Sequence, residues 1–131
     1  MDKTLLVVEW DDDYRCLLVN GLGADGYRVV EARDSREALD RFRRRRPDAV
    51  VLALKSPDMD GIDVMYRIMA IRKDIPIIIN SAYTRFRDNY LCWAADDFVR
   101  KSSDLGDLRK SLAVILSAGS PRDRMTHFST L

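Results

Sequence analysis

The sequence predicts a doubly wound α/β domain, with five parallel strands in one sheet and helices on both faces. Three observations carry that reading. Short apolar runs rich in β-branched residues recur along the chain, most clearly Leu5–Val8, Ala49–Leu54 and Ile77–Asn80. Continuous runs of this length suit strands buried on both faces. Segments with apolar residues at helical spacing separate them. Strand and helix alternate five times, and right-handed crossovers then place helices on both sides of a parallel sheet.

Each element has its own local signal. After Leu5–Val8, the acids Asp11 to Asp13 suit the positive end of a helix dipole, and Tyr14, Leu17, Leu18, Gly21 and Leu22 follow at helical spacing. Gly21 and Gly23 weaken that helix, and Gly26 ends it. Tyr27 to Ala32 reads as the second strand. Asp34-x-x-Glu37 resembles a capping box, which opens a second helix with Ala38, Leu39 and Phe42 inward; Pro47 stops it. Ala49–Leu54 is the third strand, Pro57 to Gly61 a turn and Gly61 to Ile71 the third helix. Ile77–Asn80 forms the fourth strand, Tyr83 to Trp93 the fourth helix and Phe98-Val99 a short fifth strand. Ser103 is read as the cap of the last helix, with Leu105, Leu108, Leu112 and Ile115 inward.

Bulk properties narrow the function. At 131 residues the chain suits one domain with one core. Hydrophobic residues at 47% and charged residues at 33% fit a globular protein. The run Ile75–Ile79 is too short to span a bilayer, and no signal pattern precedes the first strand, so the expectation is a cytoplasmic protein with no membrane association. A net charge of +1 gives the whole chain no strong pull on nucleic acid. Cys16 and Cys92 form no CxxC pair and read as packed or half-buried thiols. The polar stretch from Ser117 to Leu131, which holds the lone His127, reads as a mobile tail after a domain spanning residues 3–116.

In such a sheet, functional groups gather at the carboxyl ends of the strands. Here those ends bring Glu9-Trp10, Ala53, Ser81 and Lys101 together. The set contains one carboxylate, one hydroxyl and one ammonium.

The segments LLVVE, GYRVVEA, PDAVVLALKSPDMDG, PIIINSAY and ADDFVRK, in this order, resemble a CheY-like receiver domain of two-component response regulators, across roughly residues 3–116. The resemblance implies a flavodoxin-like strand order 2-1-3-4-5 and a phosphorelay signalling role rather than an enzyme. Receivers accept a phosphoryl group from a histidine kinase on an Asp after the third strand, beside Mg²⁺ held by two acids after the first. Carried over by position, Glu9 matches the first acid, and Trp10 stands at the second. Ala53 stands at the phosphoacceptor position. Ser81 and Lys101 match the phosphoryl contacts, Phe98 matches the switch aromatic, and Ser102 replaces the usual proline.

Alanine offers no nucleophile and indole no hard oxygen, so the expectation is no catalytic residue, no metal site and no cofactor; Mg²⁺ would be expected only with an intact acid pocket. Glu9 is expected to pair with Lys101, and the Lys101–Ser102 peptide to be trans or else strained. The reading is a stand-alone receiver-like module, not phosphorylated in the usual way, that acts by protein–protein interaction. The alternative is a phosphoacceptor receiver whose Asp has been replaced by Ala53. The resemblance places the partner, a histidine kinase or a downstream target, on the helix 4/strand 5/helix 5 face. Phe86, Tyr90 and Trp93 on or after the fourth helix are either packing residues or anchors for that partner. Asp58 and Asp60 read as turn residues rather than substitute acceptors, and Asp11 to Asp13 as a solvated helix start. Arg41 and Arg43 to Arg46 read as a solvated helix end, with an acidic partner or nucleic acid as the other possibility.

Overall fold

The computed structural model describes residues 2–56, 59–82 and 94–118. β1 (Thr4–Val8), β2 (Arg28–Ala32), β3 (Ala49–Leu52), β4 (Ile77–Ser81) and β5 (Asp97–Arg100) form one sheet in the order β2-β1-β3-β4-β5. Every pairing in it is parallel. The helices are α1 (Asp12–Ala24), α2 (Ser35–Arg45), α3 (Gly61–Ile71) and α4 (Gly106–Ala118). A two-residue antiparallel ladder, Lys55–Ser56 with Met59–Asp60, flanks the predicted turn between β3 and α3. The segment read as a helix over Tyr83 to Trp93, with Phe86, Tyr90 and Trp93, lies outside the described residues. So do Cys92, Pro57, Asp58 and the chain from residue 119, including His127.

The sheet divides the core into two layers, because successive strand side chains point to opposite faces. Leu6, Val8, Val50, Leu52, Ile77 and Ile79 face Ala38 and Phe42 of α2 and Val64, Met65 and Ile68 of α3. Leu5, Val7, Val51, Ile78 and Val99 face Leu18 and Leu22 of α1 and Leu108, Leu112 and Ile115 of α4. Both faces of the strands are therefore buried, as their unbroken apolar character requires.

Local signals act as the sequence suggests at three helix starts. Asp11 caps α1 by accepting from the Asp13 and Tyr14 amides. Asp34 caps α2 by accepting from the Glu37 amide (2.8 Å), and the Glu37 carboxylate reaches past it to accept from the Arg33 amide (3.0 Å), one residue before the N-cap that a strict capping box would engage. Asp60 caps α3 by accepting from the Ile62 and Asp63 amides, which accounts for it as a turn residue. Gly26, at φ +97°, makes the turn from α1 into β2.

Four details correct the sequence reading. Leu17 faces solvent rather than the core. Cys16 is exposed, not packed. Ser103 does not cap α4, which starts only at Gly106; the side chain nearest its start is that of Asp104, which accepts from the Gly106 amide at 2.9 Å. Ser117 and Ala118 still belong to α4, so the helix runs into the stretch read as a tail. The structure also explains a glycine that costs α1 some helix propensity. A Cβ at Gly21 would come within 2.5 Å of the Leu105 side chain, so the missing side chain lets α1 lie close to the loop before α4.

Candidate functional site at the carboxyl edge of the sheet

Register fixes where the candidate residues meet. Val8 pairs with Leu52, Leu52 with Ile79 and Ser81 with Arg100, so β1, β3, β4 and β5 end side by side. Glu9, Ala53 and Lys101 lie just beyond those ends, and Ser81 closes β4. The Lys101 amide donates to the Ser81 carbonyl (2.9 Å), and the Ala53 amide to the Val8 carbonyl (2.9 Å), extending the ladders into the cleft.

The charged pair read from the sequence forms. Lys101 Nζ lies 2.6 Å from Glu9 Oε1, and the Glu9 side chain is only 1% exposed. The other carboxylate oxygen accepts from the Asp11 amide at 3.0 Å. Both Glu9 oxygens are thus engaged, as a buried carboxylate requires. Ala53 is buried and contributes only a methyl group. It also sits against α3: a Cβ on Gly61 would come within 2.5 Å of the Ala53 carbonyl oxygen and the Leu54 Cα, so only glycine fits there. Trp10, by contrast, is 42% exposed on the rim. Ser81 is buried, and Phe98 packs partly buried against the α2–α3 side of the core.

Two residues outside the set predicted from the sequence, Tyr14 and Asn80, take part in the site. The Lys101 ammonium lies over the Tyr14 ring, 5.0 Å from its centroid, a cation–π distance. The Tyr14 hydroxyl also meets both backbone groups of Ser102, accepting from its amide at 3.3 Å and facing its carbonyl at 3.5 Å. Burial pushes the Tyr14 phenol above its ordinary value, against the opposing effect of the Ser102 hydrogen bond. Asn80 is a polar residue inside an otherwise apolar strand, and its Nδ2 donates to the Val99 carbonyl (2.9 Å), tying β4 to β5 beneath the cleft. Its signal was available, since a lone amide in a buried run must find a partner. Tyr14 gave no such signal, because helical spacing marks an inward ring but not what its hydroxyl touches. No peptide bond among the described residues is cis, so Lys101–Ser102 is trans.

The response regulator receiver domain family matches residues 5–113. The chain belongs to this family. This receiver is 34% identical over 125 residues to response regulator MprA of Mycolicibacterium vanbaalenii, covering 94% of this chain and 54% of that protein. It is 34% identical over 110 residues to sporulation initiation phosphotransferase F of Bacillus subtilis, covering 82% of this chain and 79% of that protein. The chain therefore spans about half the length of the MprA relative. Among solved structures it resembles response regulator TrrA of Thermotoga maritima in complex with Mg²⁺–BeF, with TM-score 0.81, 33% identity and coverage of 85% of this chain and 96% of that one. A second TrrA structure, in complex with histidine kinase ThkA, matches with the same TM-score of 0.81. The sheet order deduced from the sequence is the order observed. Among the described residues no helix is long and apolar enough to cross a membrane.

Receivers with an intact acid pocket bind Mg²⁺ there, but the donor set of this cleft does not fit the ion. Mg²⁺ requires several hard oxygens in near-octahedral array. Glu9 is the carboxylate at the strand ends, and its two oxygens are committed to Lys101 and the Asp11 amide. Asp11 Oδ1 is held by the amides it caps. Trp10 and Ala53 bring no oxygen from their side chains.

Proposed function

We propose that this receiver domain transmits signals through protein contacts, without taking up a phosphoryl group at the strand-end cleft. The observation that carries this reading is the 2.6 Å pair between Lys101 and the buried Glu9, formed beside the methyl group of Ala53. In this reading Ala53 occupies the acceptor position, and its side chain cannot form an acyl phosphate. Trp10 occupies the second acid position, and Ser81, Lys101 and Phe98 keep the phosphoryl-contact and switch positions. With Glu9 neutralising Lys101 internally, this pair leaves neither an ammonium free for an anion nor a carboxylate free for a divalent cation. A partner would then set the conformation by binding one state of the Ser81–Phe98 region better than the other.

The partner surface in this reading is the face of β5 and α4. A groove of about 340 Å³ between them supports it, lined by Asp97, Asp107, Lys110, Ser111 and Val114 among others, with Val114 59% exposed. The class of partner is a histidine kinase or a downstream target, in keeping with the ThkA–TrrA complex of a relative.

The test is an NMR titration with beryllofluoride and Mg²⁺. The amide spectrum is expected to stay unchanged. Widespread shifts centred on Ser81, Phe98 and Lys101 would overturn the proposal. A second arm restores the acids with Trp10→Asp and Ala53→Asp together. Mg²⁺-dependent shifts in that variant alone would assign the difference to these two positions.

A further inference from the structure

A second charged region lies at the opposite end of the molecule, where α2 and α3 finish. The α2 sequence runs Phe42-Arg43-Arg44-Arg45, and Arg46 follows at its C-cap. Cations there suit the helix dipole, and some of them are also neutralised. Arg41 pairs with Glu37 and Asp40, and Arg44 pairs with Asp40 at 2.8 Å. Arg43 and Arg46 have no ion-pair partner among the described residues, and both are exposed.

These two arginines rim a groove of about 420 Å³, completed by Phe42, Ile71 and Arg72. Its floor is apolar, with Ile71 43% exposed beside the Phe42 ring. Arg72 is held across it. The guanidinium stacks 5.6 Å from the Phe42 centroid and donates to the Pro47 carbonyl at 2.6 Å, with Asp74 at the looser distance of 3.7 Å. The groove thus has an immobilised guanidinium on one side and, on the other, two that have no ion-pair partner among the described residues; no carboxylate among those residues lines it.

The backbone adds an independent sign. Arg46 is the only non-glycine residue with positive φ among the described residues, at φ 46° and ψ 63°. Helix ends reach this left-handed conformation most easily with glycine or asparagine. Arginine is sterically disfavoured here, and the helix dipole is already served by Arg43, Arg44 and Arg45 in the last turn. Strain held at one exposed position, on the rim of a groove, points to a use for that side chain.

We propose that this groove docks an acidic segment of a partner protein, with carboxylates on Arg43, Arg46 and Arg72 and an apolar side chain on Ile71. Arginine forks match carboxylates in bidentate geometry, and exposed Ile71 gives such a peptide an anchor that a phosphate backbone would not use. The chain carries a net charge of only +1, which gives an extended nucleic acid little pull beyond the groove itself.

The experiment titrates the full chain with a short peptide of glutamates around a central leucine, read by NMR at the arginine Nε–H groups and the Ile71 methyls. Shifts confined to Arg43, Arg46, Arg72 and Ile71 are expected, and Arg43→Glu with Arg46→Glu should weaken binding about tenfold or more. Arg46→Gly separates the site from a merely structural arginine. It is expected to raise the thermal midpoint by relieving the backbone while still weakening the peptide. Ile71→Ser should weaken the leucine peptide and leave an all-glutamate peptide unaffected. Shifts scattered over the arginines of the whole surface, unchanged affinity in Arg46→Gly, or displacement of the peptide by equimolar duplex DNA would each overturn the proposal.

Discussion

The two ends of the sheet treat charge in opposite ways. At the carboxyl edge, Glu9 is buried and both its oxygens are occupied by Lys101 and the Asp11 amide. At the other end, Arg43 and Arg46 stand exposed over an apolar floor, with no ion-pair partner among the described residues. A buried charge must be matched by the protein itself, because unpaired burial is costly. An exposed charge carries no such demand and stays available to something outside. The carboxyl edge is therefore part of what holds the fold together, whereas the arginine groove contributes little to stability and can serve recognition.

Mutation can test that contrast, and the largest effect should come from Lys101→Met. It strands the Glu9 carboxylate in a site 1% exposed, with an expected loss of about 3 kcal/mol in a urea denaturation series at pH 7. A loss near zero would erase the distinction between the two ends. Glu9→Gln should cost less, about 1–2 kcal/mol, because Lys101 is 19% exposed and can turn toward water. Reversal of this order would mean that the lysine, not the carboxylate, is the group that needs its partner.

Gly61→Ala tests the backbone beneath the same edge. The added methyl would meet the Ala53 carbonyl and the Leu54 Cα at 2.5 Å, and a loss of about 1–3 kcal/mol is expected from overpacking. The thermal midpoint measures it, and an unchanged midpoint would show that α3 can move away from Ala53 freely.

Tyr14 sharpens the comparison through pH. Its folded value is raised above 10.0, mainly by burial. Protons are then held more tightly in the folded state, so the stabilisation is fully present below pH 10.0 and is lost as pH rises through the folded value. Urea midpoints should fall across that alkaline range in the wild type and fall less in Tyr14→Phe, with tyrosinate absorbance marking the ionisation. The smallest effect belongs to the far end. Arg43→Ala should change stability by no more than about 0.5 kcal/mol, and a larger loss would show that this groove too is needed by the fold.

Much of this is legible in the sequence. Glu9 and Lys101 could be paired on paper because each follows an apolar strand, and a parallel sheet puts such strand ends on one edge. The α2 and α3 boundaries were legible because Asp34 with Glu37, Pro47 and Gly61 are local signals. Ser103 misled because Asp104, beside it, competes for the same amides, and only the path of the loop decides that Asp104 meets the first of them. Leu17 misled because helical spacing marks a face but not how far the neighbouring elements extend over it, and Cys16 because the usual burial of a thiol says nothing of the face on which this one lies.

The sequence by itself determined the order of the elements, the apolar layers on both sides of the sheet and the chemistry present at the strand ends. These follow from backbone periodicities of two and 3.6 residues, which act over a few neighbours. Only the tertiary structure decided that Tyr14 would close over Lys101 and hold Ser102, 88 residues away in the chain. It also decided that the ends of α2 and α3 would leave a groove with three arginines. Such contacts depend on distances across space, set by how the helices pack on the sheet, and no local pattern encodes them.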